Sequence, residues 1–227
     1  MDSGADGTQP VGNPAAGVVH SLSERHETLA TVESLTGGLL AASIVEIAGV
    51  SGIFRGGLVV YATELKSWLA GVPEDLLADR GPVDPDVAVA LAEGGRRRCG
   101  ADWGLATTGV AGPEPQDGKP VGLVYVAAAG PSGTHVRQLD LAGGRDHIRS
   151  ATVIEALRLL TERIRETDAA QADAAQADAA QADAAQADAA QADAAQADAA
   201  QADAAQADAA QADAAQAGGR RAGAGRR

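Results

Sequence analysis

The sequence predicts an α/β fold, a three-layer α/β/α sandwich with a mostly parallel mixed sheet. Over residues 1–167, short apolar strand candidates alternate with helix candidates, and two strand candidates follow each other directly late in this region. Strands separated by helices favour parallel pairing, whereas adjacent strands favour an antiparallel portion. A region of this length is expected to form one domain with a substantial core.

The net charge of −13 is distributed unevenly along the chain. Residues 1–167 carry 14 basic and 21 acidic side chains, residues 168–217 carry ten aspartates, and residues 218–227 carry four arginines. Because residues 1–167 are only mildly acidic, they lack the clustered basic surface typical of nucleic-acid binders. We therefore expect no nucleic-acid partner, and any anionic ligand must be held locally.

Cysteine and histidine usage predicts a protein without disulfides, metal or cofactor. Cys99 is the single cysteine, so no intrachain disulfide or Cys-x-x-Cys zinc motif can form. The histidines are scattered without metal-ligand spacing: His20, His26, His135 and His147. No uncharged apolar stretch approaches the roughly 20 residues of a membrane helix, and the start lacks a basic-then-apolar secretory signal. We expect a cytoplasmic protein with no membrane association.

The helices and strands follow from apolar spacing and turn residues. Residues 1–16 lack a periodic apolar pattern and are expected to form a disordered leader. Val18, Val19 and Leu22 predict a short amphipathic helix, and the closing helix repeats apolar residues from Ile148 to Ile164. Strands are predicted at 28–32, 57–61, 103–107, 121–129 and 134–141. The other helices are predicted after the SLTGG turn, around 64–70, from Pro85 to before Gly100, and at 146–164.

The last 60 residues differ in character from the rest. From residue 168 to 217 the pentapeptide Asp-Ala-Ala-Gln-Ala repeats ten times. Each repeat advances a helix by roughly 140° beyond a full turn, so no apolar face persists. We expect a solvated spacer, partly helical or disordered, and assign no role to it or to the Arg/Gly-rich tail at 218–227.

Two loops are expected to form the functional site. SLTGG follows the first predicted strand and TGVAGP follows the third, so both should open at the carboxyl edge of the sheet, where α/β proteins bind ligands. Ser34 has two interpretations. Its hydroxyl either caps the following helix, which the spacing alone favours, or lies beside unpaired N–H groups that could stabilise a phosphate or an oxyanion.

Tyr61 and Lys66 come at the end of the second predicted strand and the start of the next helix. Such residues are commonly half-buried packing and a surface charge. A serine nucleophile nevertheless needs a base, and a partly desolvated lysine is the available candidate, since no histidine lies near Ser34 in a recognisable pattern. Tyr61 could then relay or donate the proton.

The loop beginning Thr108-Gly109 is either an ordinary connection or part of a pocket. Arg145 and Arg149 open the last helix, where the helix dipole does not favour cations. Arg145 is therefore expected to bind a phosphate or carboxylate, or to form a surface ion pair with Asp146 or Glu155.

The region from about Leu29 to Ile164 resembles the CinA C-terminal domain, which acts in many bacteria as nicotinamide mononucleotide deamidase. The matching segments, in order, are ESLTGGLLAA, GVSGIFRGGLVVYATELK, LAGV with GPVDPDVAVALAEG, TGVAGP, KPVG and GGRDHIR. The resemblance identifies residues 17–167 as an amidohydrolase domain and implies a stand-alone deamidase of pyridine nucleotide recycling. It also implies a homo-oligomer and no metal.

The resemblance also assigns roles to individual residues. It implies that Ser34 is the nucleophile, Lys66 its base and Tyr61 an assisting proton donor or relay. Thr108 and Arg145 fall on positions that the family uses in the site, and substrate contacts are also expected from Thr36, Gly37, Gly38 and Gly109. From the chemistry rather than from the resemblance, we expect N–H groups around Gly37 and Gly38 to hold the oxyanion.

The sequence departs from the family pattern at three places. Leu35 stands where cysteine is common, Asp84 replaces a serine that would cap a helix equally well, and the loop EPQDGKPVG contains fewer Gly and Thr residues than usual. The alternatives are a non-catalytic pyridine-nucleotide-binding or competence-associated interaction module, and an amidase acting on another small amide. The Ser34, Tyr61 and Lys66 set argues against a pure binding module.

Overall fold

The computed structural model of the protein describes residues 13–223. They form five strands and six α-helices, connected by turns and one short 3₁₀ segment. In chain order the elements are α1 (Pro14–Arg25), β1 (Leu29–Glu33), α2 (Leu39–Val45), β2 (Phe54–Val59), α3 (Thr63–Trp68), α4 (Glu74–Arg80), α5 (Pro85–Cys99), β3 (Trp103–Gly109), β4 (Leu123–Gly130), β5 (Gly133–Asp140) and α6 (Arg145–Gly223).

The five strands form one mixed sheet in the order β2-β1-β3-β4-β5. β1 pairs in parallel with β2 on one side and with β3 on the other. β4 is antiparallel to both β3 and β5, so it alone among these strands runs against the others. The predicted three-layer α/β class with a mostly parallel mixed sheet is confirmed.

Each face of the sheet is covered by its own set of helices. Leu29, Leu105 and Val126 point to the face on which α1, α2 and the first part of α6 pack. Val32 and Ala106 point to the opposite face, which α3, α4 and α5 cover. Because neighbouring residues of β1 and β3 alternate between two apolar cores, these strands are buried along their whole length.

The first helix begins earlier than the predicted leader allows. The leader was expected to extend to residue 16, but α1 starts at Pro14. The side chain of Asn13 accepts the N–H of Ala15 at 2.9 Å, and proline at the first helical position favours the same start. Residues 1–12 lie outside the described residues.

The second strand and one helix also differ from the predictions. β2 spans Phe54–Val59, whereas the apolar run predicted residues 57–61. Val60 and Tyr61 lie beyond the strand, and their carbonyls accept hydrogen bonds from a lysine side chain. The short helix α4, which starts after Pro73, was not predicted. The boundaries of α5 are confirmed, and Asp84 caps it by accepting the N–H of Asp86 at 2.9 Å.

The chain divides after Ala169 into a compact unit and a second unit formed by the rest of the sequence. In the second unit α6 continues to Gly223, so the described part of the repeat is helical, one of the two forms expected. The side chains of residues 170–186 are exposed, as the absence of an apolar face requires. Within residues 13–223, no helix combines the length and apolar character needed to cross a membrane.

The buried hydroxyl of Thr31 offers a test of the core. Thr31 and Thr107 are both fully buried, but Thr107 shares a 2.8 Å hydrogen bond with Thr36 while the Thr31 hydroxyl has no partner among the described residues. Replacing an unpaired buried hydroxyl with a methyl group removes a desolvation penalty, so Thr31→Val should raise the free energy of unfolding by about 1 kcal/mol.

Thr107→Val is the matched control, because it leaves the Thr36 hydroxyl without its partner and should lower the same quantity. Urea denaturation followed through the fluorescence of buried Trp103 measures both variants. A destabilised Thr31→Val protein would show that the hydroxyl is satisfied.

Candidate active site

The turn between β1 and α2 places Ser34 at the carboxyl edge of the sheet. Its N–H donates to the carbonyl of Thr107 at the end of β3, with an N···O distance of 3.0 Å. Gly37 and Gly38 follow with φ values of 58° and 101°, a conformation that glycine adopts without steric cost. The two glycines therefore fix the direction in which the chain leaves Ser34 for α2.

The helix cap is supplied by Glu33. Its carboxylate is 1% exposed and accepts three N–H groups, from Gly38 at 2.9 Å, Leu40 at 3.0 Å and Ala41 at 2.8 Å. The interpretation of Ser34 as the helix cap is therefore wrong, because its hydroxyl does not bind the N–H groups of α2. A carboxylate suits this position because the first turn of a helix presents unpaired N–H groups and the positive end of its dipole.

The same contacts correct the expected role of the two glycines. The N–H of Gly38 donates to Glu33, and that of Gly37 donates to the carbonyl of Ser34 at 3.1 Å. Neither N–H is free to hold an oxyanion, and the start of α2 already holds an anionic group. Any anionic part of a ligand must therefore bind elsewhere.

Lys66 reaches Ser34 from the second strand–helix connection. It lies on α3, is 1% exposed, and its Nζ donates to the Ser34 Oγ at 3.2 Å. Two carbonyls beyond β2 complete its surroundings, Val60 at 2.8 Å and Tyr61 at 3.4 Å. The parallel pairing of β1 with β2 brings these groups together, because the two strands end at the same edge.

Burial changes the acid–base properties of this amine. Desolvation lowers the pKa of Lys66 from 10.5 to about 8, and the nearby carboxylate of Glu64 opposes the shift. The three hydrogen-bond partners of the Lys66 amine are compatible with both its charged and its neutral form. The ammonium can donate to two carbonyls and the serine, and the neutral amine can donate to the carbonyls while its lone pair faces the Ser34 hydroxyl. The pair therefore has the geometry of a nucleophile with its base.

Tyr61 and Arg145 form the rim of the site. The guanidinium of Arg145, at the first position of α6, donates to the carbonyl of Gly112 at 2.7 Å and to the hydroxyl of Tyr61 at 3.0 Å. Neither alternative ion-pair partner is used: Glu155 binds Arg158, and no salt bridge of Arg145 is present within residues 13–223. Tyr61 meets Lys66 through its backbone carbonyl, while its side chain, 57% exposed, points to Arg145.

A cleft of about 120 Å³ opens between these groups. It is smaller than the roughly 300–1,000 Å³ of pockets that enclose a drug-sized ligand, so a nucleotide would lie only partly inside it. Its lining comprises Ser34, Leu35, Tyr61, Lys66, Pro82, Val83, Gly109, Val110, Ala111, Gly112, Glu114, Gln116 and Arg145.

Only some of the residues that were expected to contact the substrate line the cleft. Gly109 and Arg145 line it, but Thr36, Gly37, Gly38 and Thr108 do not. The hydroxyl of Thr36 is shared with Thr107, and that of Thr108 donates to the carbonyl of Pro82 at 2.6 Å. Both threonines are fully buried, so their hydroxyls stabilise the walls rather than facing a ligand.

Sequence reasoning assigned no role to four residues at or around the site: Glu33, Glu114, Gln116 and Arg149. Glu114 and Gln116 lie in the TGVAGPEPQDGKP loop, whose position after a strand was the available signal. Arg149 donates to the carbonyls of Leu35 and Thr36, at 3.0 and 2.8 Å, from one turn beyond Arg145. No signal in the sequence assigns Glu33 to the N–H groups of α2, because a strand residue is not a usual helix cap.

No group of three or more His, Cys, Asp or Glu side chains within residues 13–223 is arranged to hold a metal ion.

The lowered pKa of Lys66 makes stability depend on pH. The unfolded chain keeps its proton up to about pH 10.5 while the folded protein loses it near pH 8, so between these values the unfolded state binds more protons. Raising the pH from 8 to 10.5 should therefore stabilise the protein by roughly 3 kcal/mol relative to the Lys66→Met variant. Urea denaturation of both proteins at several pH values measures the difference, and parallel curves would contradict the shift.

The family profile and the related sequences that match this chain point to the same family. The profile of the CinA C-terminal domain matches residues 13–164. A CinA-like protein of Frankia casuarinae is 51% identical over 143 residues, 63% of this chain and 33% of that protein. A CinA-like protein of Geobacter sulfurreducens is 49% identical over 142 residues, 62% of this chain and 34% of that protein. The chain thus spans about one third of the length of these relatives.

Solved structures agree with the sequence matches. A competence-damaged protein (CinA) superfamily protein from Klebsiella pneumoniae aligns with a TM-score of 0.67 and 28% identity, over 70% of this chain and 99% of that one. The competence/damage inducible protein CihA from Agrobacterium tumefaciens aligns with a TM-score of 0.63 and 32% identity, over 70% and 97% of the respective chains. The fold, the site-bearing segments and these matches show that the chain belongs to the CinA C-terminal domain family.

Proposed function

We propose that this protein hydrolyses the carboxamide of nicotinamide mononucleotide, releasing nicotinic acid mononucleotide and ammonia. The observation that carries the proposal is the contact between the buried Lys66 amine and the Ser34 hydroxyl, at 3.2 Å within the cleft. A serine next to a lysine with a lowered pKa is suited to nucleophilic attack on an amide. The family resemblance stated above supplies the substrate.

In the first half of the reaction Ser34 Oγ attacks the amide carbon and transfers its proton to the neutral amine of Lys66. The carbonyls of Val60 and Tyr61 hold that amine in place, since both accept hydrogen bonds from it before and after protonation. Lys66 then returns the proton to the amide nitrogen, and ammonia leaves. The product is a Ser34 ester of the nicotinate group.

In the second half water enters the position that ammonia has left. Lys66, neutral again, accepts a proton from the water, whose oxygen attacks the ester carbon. The proton returns to Ser34 Oγ as the carboxylic acid leaves. The overall balance is one amide and one water giving one acid and one ammonia, and no metal or cofactor takes part.

The N–H of Leu35 is the proposed donor to the developing oxyanion. Leu35 directly follows the nucleophile, lines the cleft, and its N–H makes no hydrogen bond with any part of residues 13–223. An N–H at this place adds stabilisation only as negative charge appears on the substrate oxygen, which lowers the barrier rather than strengthening ground-state binding. It replaces the Gly37 and Gly38 N–H groups, which are already bonded.

The phosphate is proposed to bind at the rim, beside Arg145 and Tyr61. Arg145 has five N–H donors, and only two of them are used by the carbonyl of Gly112 and the Tyr61 hydroxyl. The Tyr61 oxygen accepts from Arg145, so the proton of Tyr61 remains available to the ligand. The cleft then needs to accommodate only the amide-bearing ring, in keeping with its volume.

The proposal predicts ammonia release from nicotinamide mononucleotide by the full chain, and its loss in two variants. Ser34→Ala should lower kcat at least 10³-fold because the nucleophile is gone, and Lys66→Met should do the same because the base is gone. Lys119→Met is the matched control, since Lys119 is the chain's other lysine and does not line the cleft. Equal rates in Lys66→Met and Lys119→Met would exclude Lys66 as the base.

The pH dependence follows from the pKa of Lys66. Only the neutral amine can accept the serine proton, so kcat/KM should rise from pH 7 to pH 9 with a midpoint near 8 and then level off. Initial rates at constant ionic strength measure the profile. A rate that falls over this range would be incompatible with a lysine base.

Phosphate binding at the rim predicts a substrate-dependent effect of Arg145→Ala. The variant should raise KM for nicotinamide mononucleotide more than 10-fold with little change in kcat, because it removes binding shared by ground and transition states. Nicotinamide riboside, which lacks the phosphate, should be affected much less. Arg158→Ala, a surface arginine on the same helix, serves as the control. Equal losses for the two substrates would place the phosphate elsewhere.

A further inference from the structure

Two opposite charges hold the turn that carries Ser34. The carboxylate of Glu33 lies on the N–H side of this turn and of the helix that follows it. The guanidinium of Arg149 lies on the carbonyl side, where it binds Leu35 and Thr36. Each charge therefore faces backbone groups of the opposite polarity.

Glu33 is a rigid attachment for the turn. It is the last residue of β1, an interior strand of the sheet, and pairs with Val59 on one side and Thr107 on the other. Its side chain is 1% exposed, and both of its carboxylate oxygens bind N–H groups of the turn and of α2. Hydrogen bonds to a charged acceptor are stronger than neutral ones, and burial strengthens them further.

Arg149 holds the same turn from a helix more than a hundred residues away. Its Nε donates to the carbonyl of Leu35 at 3.0 Å and its Nη2 to that of Thr36 at 2.8 Å. A Cβ on Gly37, where φ is 58°, would lie 3.6 Å from that Nη2. The two parallel N–H bonds of a guanidinium fix an orientation that a single donor would not.

We propose that Glu33 and Arg149 are positioning residues that hold this turn so that the Ser34 Oγ faces the Lys66 Nζ. The inference rests on the proposed role of Ser34 as the nucleophile. Neither Glu33 nor Arg149 lines the cleft, so neither acts by touching the substrate. A displacement of Ser34 by a fraction of its 3.2 Å distance from Lys66 would weaken proton transfer without changing the rim.

The first test separates kcat from KM in Glu33→Gln and Arg149→Met. In Glu33→Gln the amide can offer its oxygen to some of the three N–H groups, but its NH₂ then faces another donor. Both variants should lower kcat for nicotinamide mononucleotide 10- to 100-fold, leave KM within about 3-fold, and keep the midpoint of the pH profile near 8. Arg149→Lys, which can reach one carbonyl, should recover part of kcat.

Two matched controls change residues of the same types at exposed positions. Glu46→Gln changes an exposed glutamate at the far end of α2, and Arg158→Met changes a surface arginine of α6. Both should keep kcat within 2-fold of the original protein. Thermal melting establishes that each variant is folded at the assay temperature. If Glu33→Gln is unfolded there, Arg149→Met decides, and a kcat equal to that of Arg158→Met overturns the proposal.

The second test needs no substrate. A fluorophosphonate probe reacts with an activated serine, and intact mass spectrometry of the full chain measures the rate at which one adduct forms on Ser34. This rate should fall at least 10-fold in Glu33→Gln and Arg149→Met and stay unchanged in the controls. Equal rates in all five proteins would overturn the positioning role.

The combination of tests distinguishes the two proposals. Labelling of Ser34 that depends on Glu33 and Arg149, without ammonia release from nicotinamide mononucleotide, supports the positioning role and rejects the substrate. Ammonia release that is insensitive to both variants supports the substrate and rejects the positioning role. A protein that shows neither labelling nor ammonia release rejects both, because there is then no activated serine to position.

Discussion

The chemistry of this site depends on one constraint, the removal of the Lys66 amine from water. A buried ammonium is costly unless acceptors surround it, and the ends of two parallel strands supply them. The turn after β1 contributes the Ser34 hydroxyl, and the chain beyond β2 contributes the carbonyls of Val60 and Tyr61. β2 ends before these two residues, and this early end has a chemical reason. If the strand continued, their carbonyls would be bonded to the neighbouring strand and could not accept hydrogen bonds from Lys66. The strand pairing that forms the sheet therefore also places the hydrogen-bond acceptors of the Lys66 amine.

The sequence predicted the parts of the fold and site that depend on local pattern and on sheet geometry. The alternating elements, the limits of α5 and the Asp84 cap follow from apolar spacing and helix-capping rules. Ser34 and Lys66 were paired because a serine nucleophile needs a base, and the family resemblance implied the same pair. The sequence did not predict Glu33 or Arg149, whose partners are set by tertiary contacts across 7 and 114 residues. Nor does the sequence reveal that the hydroxyl of Thr108 donates to the carbonyl of Pro82, because that contact depends on the packed structure.

The helix after Ser34 differs from the anion-binding helices of many α/β proteins. In those proteins the first N–H groups receive a phosphate from the ligand. Here the protein's own Glu33 receives them, so a permanent carboxylate replaces the ligand's anion at the start of α2. A positive charge lines the cleft at Arg145, at the start of α6. α6 thus contributes to both parts of the site, with Arg145 on the lining of the cleft and Arg149 bound to the turn that carries Ser34.

The contribution of α6 to the site also affects the timing of folding during synthesis. The site is incomplete until Arg145 and Arg149 have been translated and α6 has packed on the sheet. At least 60 further residues follow Thr167 in this sequence, and at about 5–20 residues per second their synthesis takes roughly 3 to 12 s. Small domains commonly fold within that interval. A domain of this kind can therefore complete its fold while the repeat is still being synthesised.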